Sequence, residues 1–259
     1  MMRRHVLFPC EGAMLAGTLD EAAGSTGLLV VSGGNELRSG AWSGQAQFAA
    51  RIAAEGFPVF RFDRRGVGDS EGYNFGFTDC AADLAAALAA FREEAPQVTR
   101  VVAWGNCDAA SALMLGGGAG CQALVLSNPW TIEDETATPP AEVVRDHYKR
   151  RFTDPAALRR VLTGQVNVVQ ALKSLLGAAK PAPAPVLAGL VGDMAEGIAG
   201  FTGTVRFPIA ERDRTGQAFL GRWQRTDPRI AICPRASHSF VEPEAREWLV
   251  GLLLDVLLG

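Results

Sequence analysis

A doubly wound, mostly parallel α/β sheet with helices on both faces is the fold class the sequence predicts, and three observations predict it. Short continuous apolar runs recur along the chain at Leu28–Val31, Val101–Trp104 and Leu124–Leu126, as expected of parallel strands covered on both faces. Helix-prone stretches alternate with them, which argues a parallel sheet wound in both directions. Finally, Val101 to Leu115 passes from strand to helix through the five-residue turn Gly105-Asn106-Cys107-Asp108-Ala109.

The elements follow in order. Residues 4–20 alternate loosely around Glu11-Gly12 and read as an antiparallel strand pair. The Leu28–Val31 strand ends in Ser32-Gly33-Gly34-Asn35. Residues 42–55 carry Phe48, Ile52 and Ala53 at helical spacing, and Gly56 stops that helix. Pro58–Phe62 is the next strand and runs into the glycine-rich turn 63–72. Asp79–Glu94 is an alanine-rich helix with Leu84, Leu88 and Phe91 on one face. After the Leu124–Leu126 strand comes Asn128-Pro129-Trp130. Strand rhythm returns at Val205–Ala210, followed by a helix over about 217–224, the strand Ile230–Cys233 and a closing helix over Pro243–Leu258. Gly116–Gly120 follows a helix and lacks the Lys-Ser/Thr of a phosphate loop, so it reads as a turn.

Residues 131–204 break the rhythm. Helical patterns cover 142–151, 155–162, 166–176 and 186–198, with a proline spacer at Lys180–Pro185. An insertion of this length between strands is expected to be a helical lid. The expected organisation is therefore a core made of residues 1–130 and 205–259, with a cap over 131–204. Arg145 to Arg160 holds six basic residues against two acids; it reads as a solvated helix face, with a surface facing an anionic substrate as the alternative.

Composition excludes several classes. With 259 residues, 48% of them hydrophobic, the chain can bury one large core or two small ones. A formal charge of −3 and no basic tail give no reason to expect nucleic acid. The five cysteines lack metal-ligand spacing, and an odd count without C-x-x-C suits a reduced, cytoplasmic protein. The N-terminal MMRRHVLFPCEGAML has no apolar stretch of signal-peptide length. No run approaches the roughly 18 apolar residues of a membrane span. Neither a metal nor an organic cofactor is implied.

The turn at Cys107 has the form of a nucleophile elbow, G-x-S-x-G, with a thiol in place of the hydroxyl. An apex residue of this kind is forced towards a strained backbone. The residues two before and two after it must be small, because strand and helix nearly touch there; Gly105 and Ala109 meet that demand. The helix N-terminus favours a thiolate at the apex. Taken alone, the pentapeptide fits a buried cysteine in an ordinary turn equally well.

The remaining residues supply its partners. A thiol nucleophile needs a base. His5 begins a strand and His147 lies in the expected lid, whereas His238 follows the last strand, at the sheet edge that also carries the elbow. The imidazole needs a carboxylate to set its tautomer. Asp213 stands just after the preceding strand; Glu211 is its competitor, and Asp193 a weaker one. The order Cys107, Asp213, His238 matches the chain order that accompanies such an elbow. Donors for an oxyanion would be the backbone N–H of Asp108 and that of Gly34 or Asn35.

With these residues in place the chain resembles an α/β-hydrolase over nearly its whole length. Asp63-Arg64-Arg65-Gly66-Val67-Gly68-Asp69-Ser70 is similar to the D-x-R-G-x-G-x-S turn of that superfamily. More narrowly, SGGNELRSG, FRFDRRGVGDSEG, GNCDAASAL and AERDRTGQAF resemble the "hydrolase 1, exosortase A system-associated" family. That resemblance implies a hydrolase linked to bacterial exosortase and exopolysaccharide loci. Cysteine at the elbow is similar to dienelactone hydrolases, while Ala109 replaces the usual glycine and Ser32 stands where many relatives have histidine.

Two functions are therefore expected as rivals. One is a hydrolase or acyltransferase acting on a small-molecule ester or thioester through Cys107, His238 and Asp213. The other is a non-catalytic binding protein that uses the same pocket for an exopolysaccharide or a sorting partner.

Overall fold

The computed structural model describes residues 2–133 and 189–259. An eight-stranded sheet runs through them in the order β1-β2-β4-β3-β5-β6-β7-β8. Strands β1 (Arg3–Cys10) and β2 (Ala13–Asp20) form the expected antiparallel pair, in register from Arg3 opposite Asp20 to Cys10 opposite Ala13. The turn between them is made by Glu11 and Gly12, both at positive φ. Strand β2 pairs antiparallel with β4 (Val59–Phe62). From β4 onward, through β3 (Thr26–Val31), β5 (Arg100–Asn106), β6 (Ala123–Ser127), β7 (Thr204–Ala210) and β8 (Ile230–Cys233), every pairing is parallel.

The continuous apolar runs are explained by cover on both faces. In β3, Leu29 and Val31 enter one core and Leu28 and Val30 the other; in β5, Val101 and Ala103 face away from Val102 and Trp104. Helices α1 (Gly44–Ala54) and α6 (Pro243–Leu258) bury Phe48, Ile52, Leu249 and Leu253 on one side. Helices α2 (Ala81–Glu94), α3 (Asp108–Leu115), α4 (Gly189–Gly197) and α5 (Arg214–Arg222) cover the other.

The structure differs from the sequence expectation at four places. A short 3-10 turn, Ala41–Ser43, precedes α1, and another, Phe77–Asp79, precedes α2, so both helices start later than their apolar periodicity suggested. Helix α5 starts at Arg214, three residues before the expected 217, because Asp213 caps it: its carboxylate accepts the N–H of Gly216. Within the span expected to form a lid, α4 packs into the core through the buried Val191 and Met194. A Cβ at Gly197 would lie 2.2 Å from the Met114 carbonyl oxygen, so α4 rests directly on the end of α3. Asp193, the weakest candidate acid, is exposed on this helix. The helices expected over 142–176, the proline spacer, His147 and the basic stretch lie outside the described residues.

The turn after β4 fastens the loop that follows β3. Asp63, fully buried, accepts the backbone N–H of Arg38 at 2.5 Å and also pairs with its guanidinium. Ser70 donates to the Asp63 carbonyl at 2.7 Å and accepts the Ala16 N–H at 2.9 Å. Gly66 and Gly68 both take positive φ, and a Cβ on Gly68 would come 2.4 Å from the Asp63 carboxylate. The D-x-R-G-x-G-x-S pattern is thus a clamp joining β2, β4 and the loop around residues 34–38.

Candidate active site

Cys107 sits between the end of β5 and the start of α3, with φ 63° and ψ −128°. That is a left-handed-side conformation seldom adopted by a residue with a Cβ, and it persists only where the surroundings hold it. Here the apex peptide is held from both sides. Its N–H donates to the Ser127 carbonyl at 2.9 Å, and its own carbonyl accepts the Trp130 N–H at 3.2 Å. The demand for small flanking residues is met as the spacing predicted. A Cβ at Gly105 would lie 2.8 Å from the Ala109 carbonyl carbon, and Ala109 is itself fully buried.

His238 stands in the loop between β8 and α6. Its Nδ1 lies 3.0 Å from Asp213 Oδ1, and its ring also hydrogen-bonds to the Cys107 side chain. The Asp213 carboxylate first and the Cys107 sulfur second raise the imidazole from its usual value to about 10, against the opposing effect of burial. The three side chains named from the sequence therefore meet. Asp213 is 7% exposed, shielded enough for its contact with the half-buried His238 to be poorly screened. Glu211, the competing carboxylate, is turned to the next loop, where Oε2 accepts the Arg235 N–H at 2.7 Å. His5 instead contacts Thr18 Oγ1 at 3.2 Å, on the antiparallel pair.

Cys107 is the partly exposed thiol; the other four are buried, and all five are free. Burial pushes Cys10 up to about 11 and Cys121 up to about 12, and raises Cys80 and Cys233 as well.

The expected oxyanion donors are less simply arranged. Asp108 is the first residue of α3, so its N–H has no acceptor within the helix. Gly34, at φ +55°, turns its N–H towards the elbow but donates it to Asp108 Oδ1 at 2.6 Å. Asn35 is exposed, and its side chain accepts from Asn74 at 2.8 Å. Ser32 reaches Gln45 on α1 at 3.0 Å.

Two features escaped sequence reasoning. Asn128, fully buried at φ 44°, donates to the His238 carbonyl at 3.1 Å and to Asn106 Oδ1 at 3.0 Å, and accepts the Ala210 N–H at 2.8 Å. Asn106 donates to the same His238 carbonyl at 3.2 Å. These two amides tie the histidine loop to the ends of β5, β6 and β7. An Asn-Pro pair directly after a buried strand was the available signal. The second feature is Arg64, the variable position of the glycine-rich turn. It is 3% exposed beneath the elbow, with Nη2 on the Gly34 carbonyl.

Beside the site, a cleft of about 210 Å3 runs between Trp42, Phe48, Trp104 and Phe240 and reaches Asn106 and Ser239, the chain neighbours of Cys107 and His238. Among the described residues no group of three or more His, Cys, Asp or Glu side chains is placed to hold a metal ion, and no helix is long and apolar enough to cross a membrane.

This sheet order, with an elbow after β5 and an acid–histidine pair on the following strand ends, defines an α/β hydrolase. The chain belongs to the alpha/beta hydrolase family, whose model matches residues 28–252. Among solved structures it is similar to the esterase Pf2001 of Pyrococcus furiosus, with 17% identity and a TM-score of 0.61, over 99% of this chain and 90% of that one. It is similar also to the alpha/beta hydrolase GrgF from a Penicillium species, with 16% identity and a TM-score of 0.66, over 99% and 98% of the two chains. A third is XC6422 of Xanthomonas campestris, described as a serine hydrolase without lid, with 15% identity and a TM-score of 0.57, over 99% and 94%. No curated protein matches the sequence.

Proposed function

We propose that the protein is a hydrolase or acyltransferase that acts on an ester or thioester through a covalent acyl-cysteine. The observation that carries this reading is the Cys107–His238–Asp213 contact at the strand edge, with the imidazole strongly biased towards its protonated form. The Cys107 sulfur attacks the acyl carbonyl carbon. His238 takes the thiol proton, holds it and returns it to the leaving group, while Asp213 fixes the tautomer and the positive charge. The backbone N–H of Asp108, with that of Gly34 or Asn35, receives the developing oxyanion. The cleft beside Asn106, with both aromatic and polar side chains in its wall, suits a small-molecule acyl group. Five free cysteines fit a cytoplasmic setting. A place in exosortase and exopolysaccharide systems rests on the resemblance of the segments around Gly34, Arg64, Cys107 and Asp213 to the exosortase-associated hydrolase family.

The test is intact-mass detection of an adduct after exposure to p-nitrophenyl esters and acyl thioesters. An acyl group on Cys107 that is absent from Cys107→Ala supports the reading; turnover by Cys107→Ala at the wild-type rate defeats it. One observation favours the rival, non-catalytic binding protein: the Gly34 N–H is engaged by a carboxylate. A protein whose Cys107 accepts no acyl group from any such probe would be that rival.

A further inference from the structure

The engagement of Gly34 has a definite geometry. Its N–H donates to Asp108 Oδ1 at 2.6 Å. The approach depends on the neighbouring glycine, since a Cβ at Gly33 would fall 2.7 Å from that same oxygen. On the other side of the Gly34 peptide, Arg64 donates through Nη2 to the carbonyl. The same Nη2 is 3.6 Å from Asp108 Oδ2. Arg64 is buried, and its guanidinium also interacts with the buried Cys80 thiol. A buried guanidinium therefore stands 3.6 Å from a carboxylate that is committed elsewhere.

One N–H carries one hydrogen. A carboxylate oxygen is a charge-assisted acceptor for it, and a second negative oxygen at the same donor is repelled. During acyl transfer the substrate's carbonyl oxygen becomes negative: sulfur bonds to carbon, the π pair moves to oxygen, and on collapse the carbon–oxygen or carbon–sulfur bond to the leaving group breaks. That oxygen cannot use Gly34 while Asp108 holds it.

We infer that the Asp108 carboxylate is a gate on the oxyanion site, which opens when the carboxylate leaves the Gly34 N–H for Arg64. This rests on the acyl-transfer reading above. The main chain and side chain of one residue then act in opposite senses: the Asp108 N–H serves the oxyanion and the Asp108 carboxylate competes with it. Substrate selection follows. Ligands with enough contacts in the cleft to displace the carboxylate react, and minimal esters react slowly. The Arg64 guanidinium is the receiving group, since its Nη2 already lies 3.6 Å from Asp108 Oδ2 and a short movement of the carboxylate closes that gap.

Two reactions at the same sulfur separate the gate from everything else. Alkylation of Cys107 by iodoacetamide displaces iodide and needs no oxyanion donor. Acylation by p-nitrophenyl acetate needs one. Both are followed by intact mass for the wild type, Asp108→Ala and Asp108→Asn, the last of which keeps the side-chain shape and an acceptor for Gly34 without the charge. The ratio of acylation rate to alkylation rate is expected to rise in Asp108→Ala towards the factor of about 10²–10³ that one oxyanion donor supplies, and by a smaller factor in Asp108→Asn. If Asp108→Ala does not fold, the rise in Asp108→Asn decides. An unchanged or lower ratio, with Cys107 acylated in the wild type, overturns the gate and leaves acyl transfer standing. Alkylation of Cys107 without acylation in any of the three proteins removes the acyl-transfer reading and the gate together.

Discussion

Asp213 divides its carboxylate between two partners: Oδ1 lies 3.0 Å from His238 Nδ1, and Oδ2 accepts the Gly216 N–H at 2.8 Å as the N-cap of α5. One side chain thus starts a helix and orients the imidazole, which fixes the histidine relative to the core. Asp213→Asn keeps an N-cap of similar quality, so the fold should survive. Turnover should fall by about 10³–10⁴, the loss expected when the imidazole has the wrong tautomer. Glu211→Gln should change turnover far less, because Glu211 faces the Arg235 N–H. Steady-state rates on the best ester substrate, with melting curves for both variants, check the assignment; a reversed order of effects would transfer the role to Glu211.

The pH behaviour of His238 follows from the same contacts. Asp213 first and Cys107 second raise it to about 10, from an unfolded value of about 6.5. A group raised on folding stabilises the folded state fully below its unfolded value and loses that contribution as pH rises through its folded value. Stability from this contact should therefore be intact below about 6.5 and vanish through about 10, where the loss steepens any alkaline unfolding. Proton NMR of the histidine ring should show one resonance titrating near 10, absent in Asp213→Asn. A wild-type His238 titrating at an ordinary value would mean the charge is not held by these partners.

Asn128 is the anchor that the sequence reading missed. It is buried at positive φ, a conformation that asparagine tolerates better than alanine. Three hydrogen bonds depend on it, two of them reaching the His238 carbonyl and Asn106. Asn128→Ala should cost about 1–3 kcal/mol by leaving the Ala210 N–H and its other partners unsatisfied, read from urea unfolding. Turnover should drop as well, since the histidine loop loses one of its two amide ties. A variant with unchanged unfolding midpoint and unchanged rate would show that Asn106 alone suffices.

How far the molecule was legible depended on whether the signal was local. The Leu28–Val31 run, the Pro243–Leu258 helix and the strand Ile230–Cys233 are set by apolar periodicity over adjacent residues, and the structure agrees at each. The elbow was readable because steric demand at Gly105 and Ala109 is written within five residues. The start of α5 was not, because its apolar pattern begins later than its cap. Helix α4 was assigned to a lid because its sequence lies in a stretch, 131–204, that breaks the strand rhythm; its burial against α3 is a long-range contact through Met194 and Gly197 that no neighbouring residue announces. The Asp108–Gly34–Arg64 contacts were out of reach for the same reason. Each residue is ordinary in its own turn, and only the folded sheet edge brings the three together.

Gly105 offers a steric test of the elbow independent of chemistry. The ideal Cβ of Gly105→Ala lies 2.8 Å from the Ala109 carbonyl carbon and 2.9 Å from its oxygen. Those atoms are backbone at the first turn of α3 and cannot rotate away. Overpacking of this kind costs about 1–3 kcal/mol, and the strand–helix separation that shapes the apex should open with it. Denaturant unfolding together with the iodoacetamide rate at Cys107 reads both effects. A Gly105→Ala protein with wild-type stability would mean that strand and helix are not in contact here.

Cys107 itself combines a reactive group with backbone strain, and substitutions separate the two. Serine retains the Cβ and the elbow but presents a hydroxyl that stays protonated at neutral pH and relies wholly on His238 during attack. Cys107→Ser should keep the fold and lose most turnover. Cys107→Ala should lose covalent capture altogether, and its stability should move by no more than about 1–2 kcal/mol, since one sulfur at a half-exposed turn is removed. Glycine is different. At φ 63° and ψ −128° the Cβ is the source of the strain, so Cys107→Gly should be more stable than Cys107→Ala by up to about 1 kcal/mol, after the greater chain freedom of glycine is set against the relief. Melting temperatures for the four proteins, alongside the acyl-enzyme mass, test both halves. An alanine variant that still forms the acyl adduct removes Cys107 as the nucleophile. A glycine variant less stable than alanine shows that the turn holds its apex without strain, and that the unusual backbone belongs to the loop rather than to the chemistry.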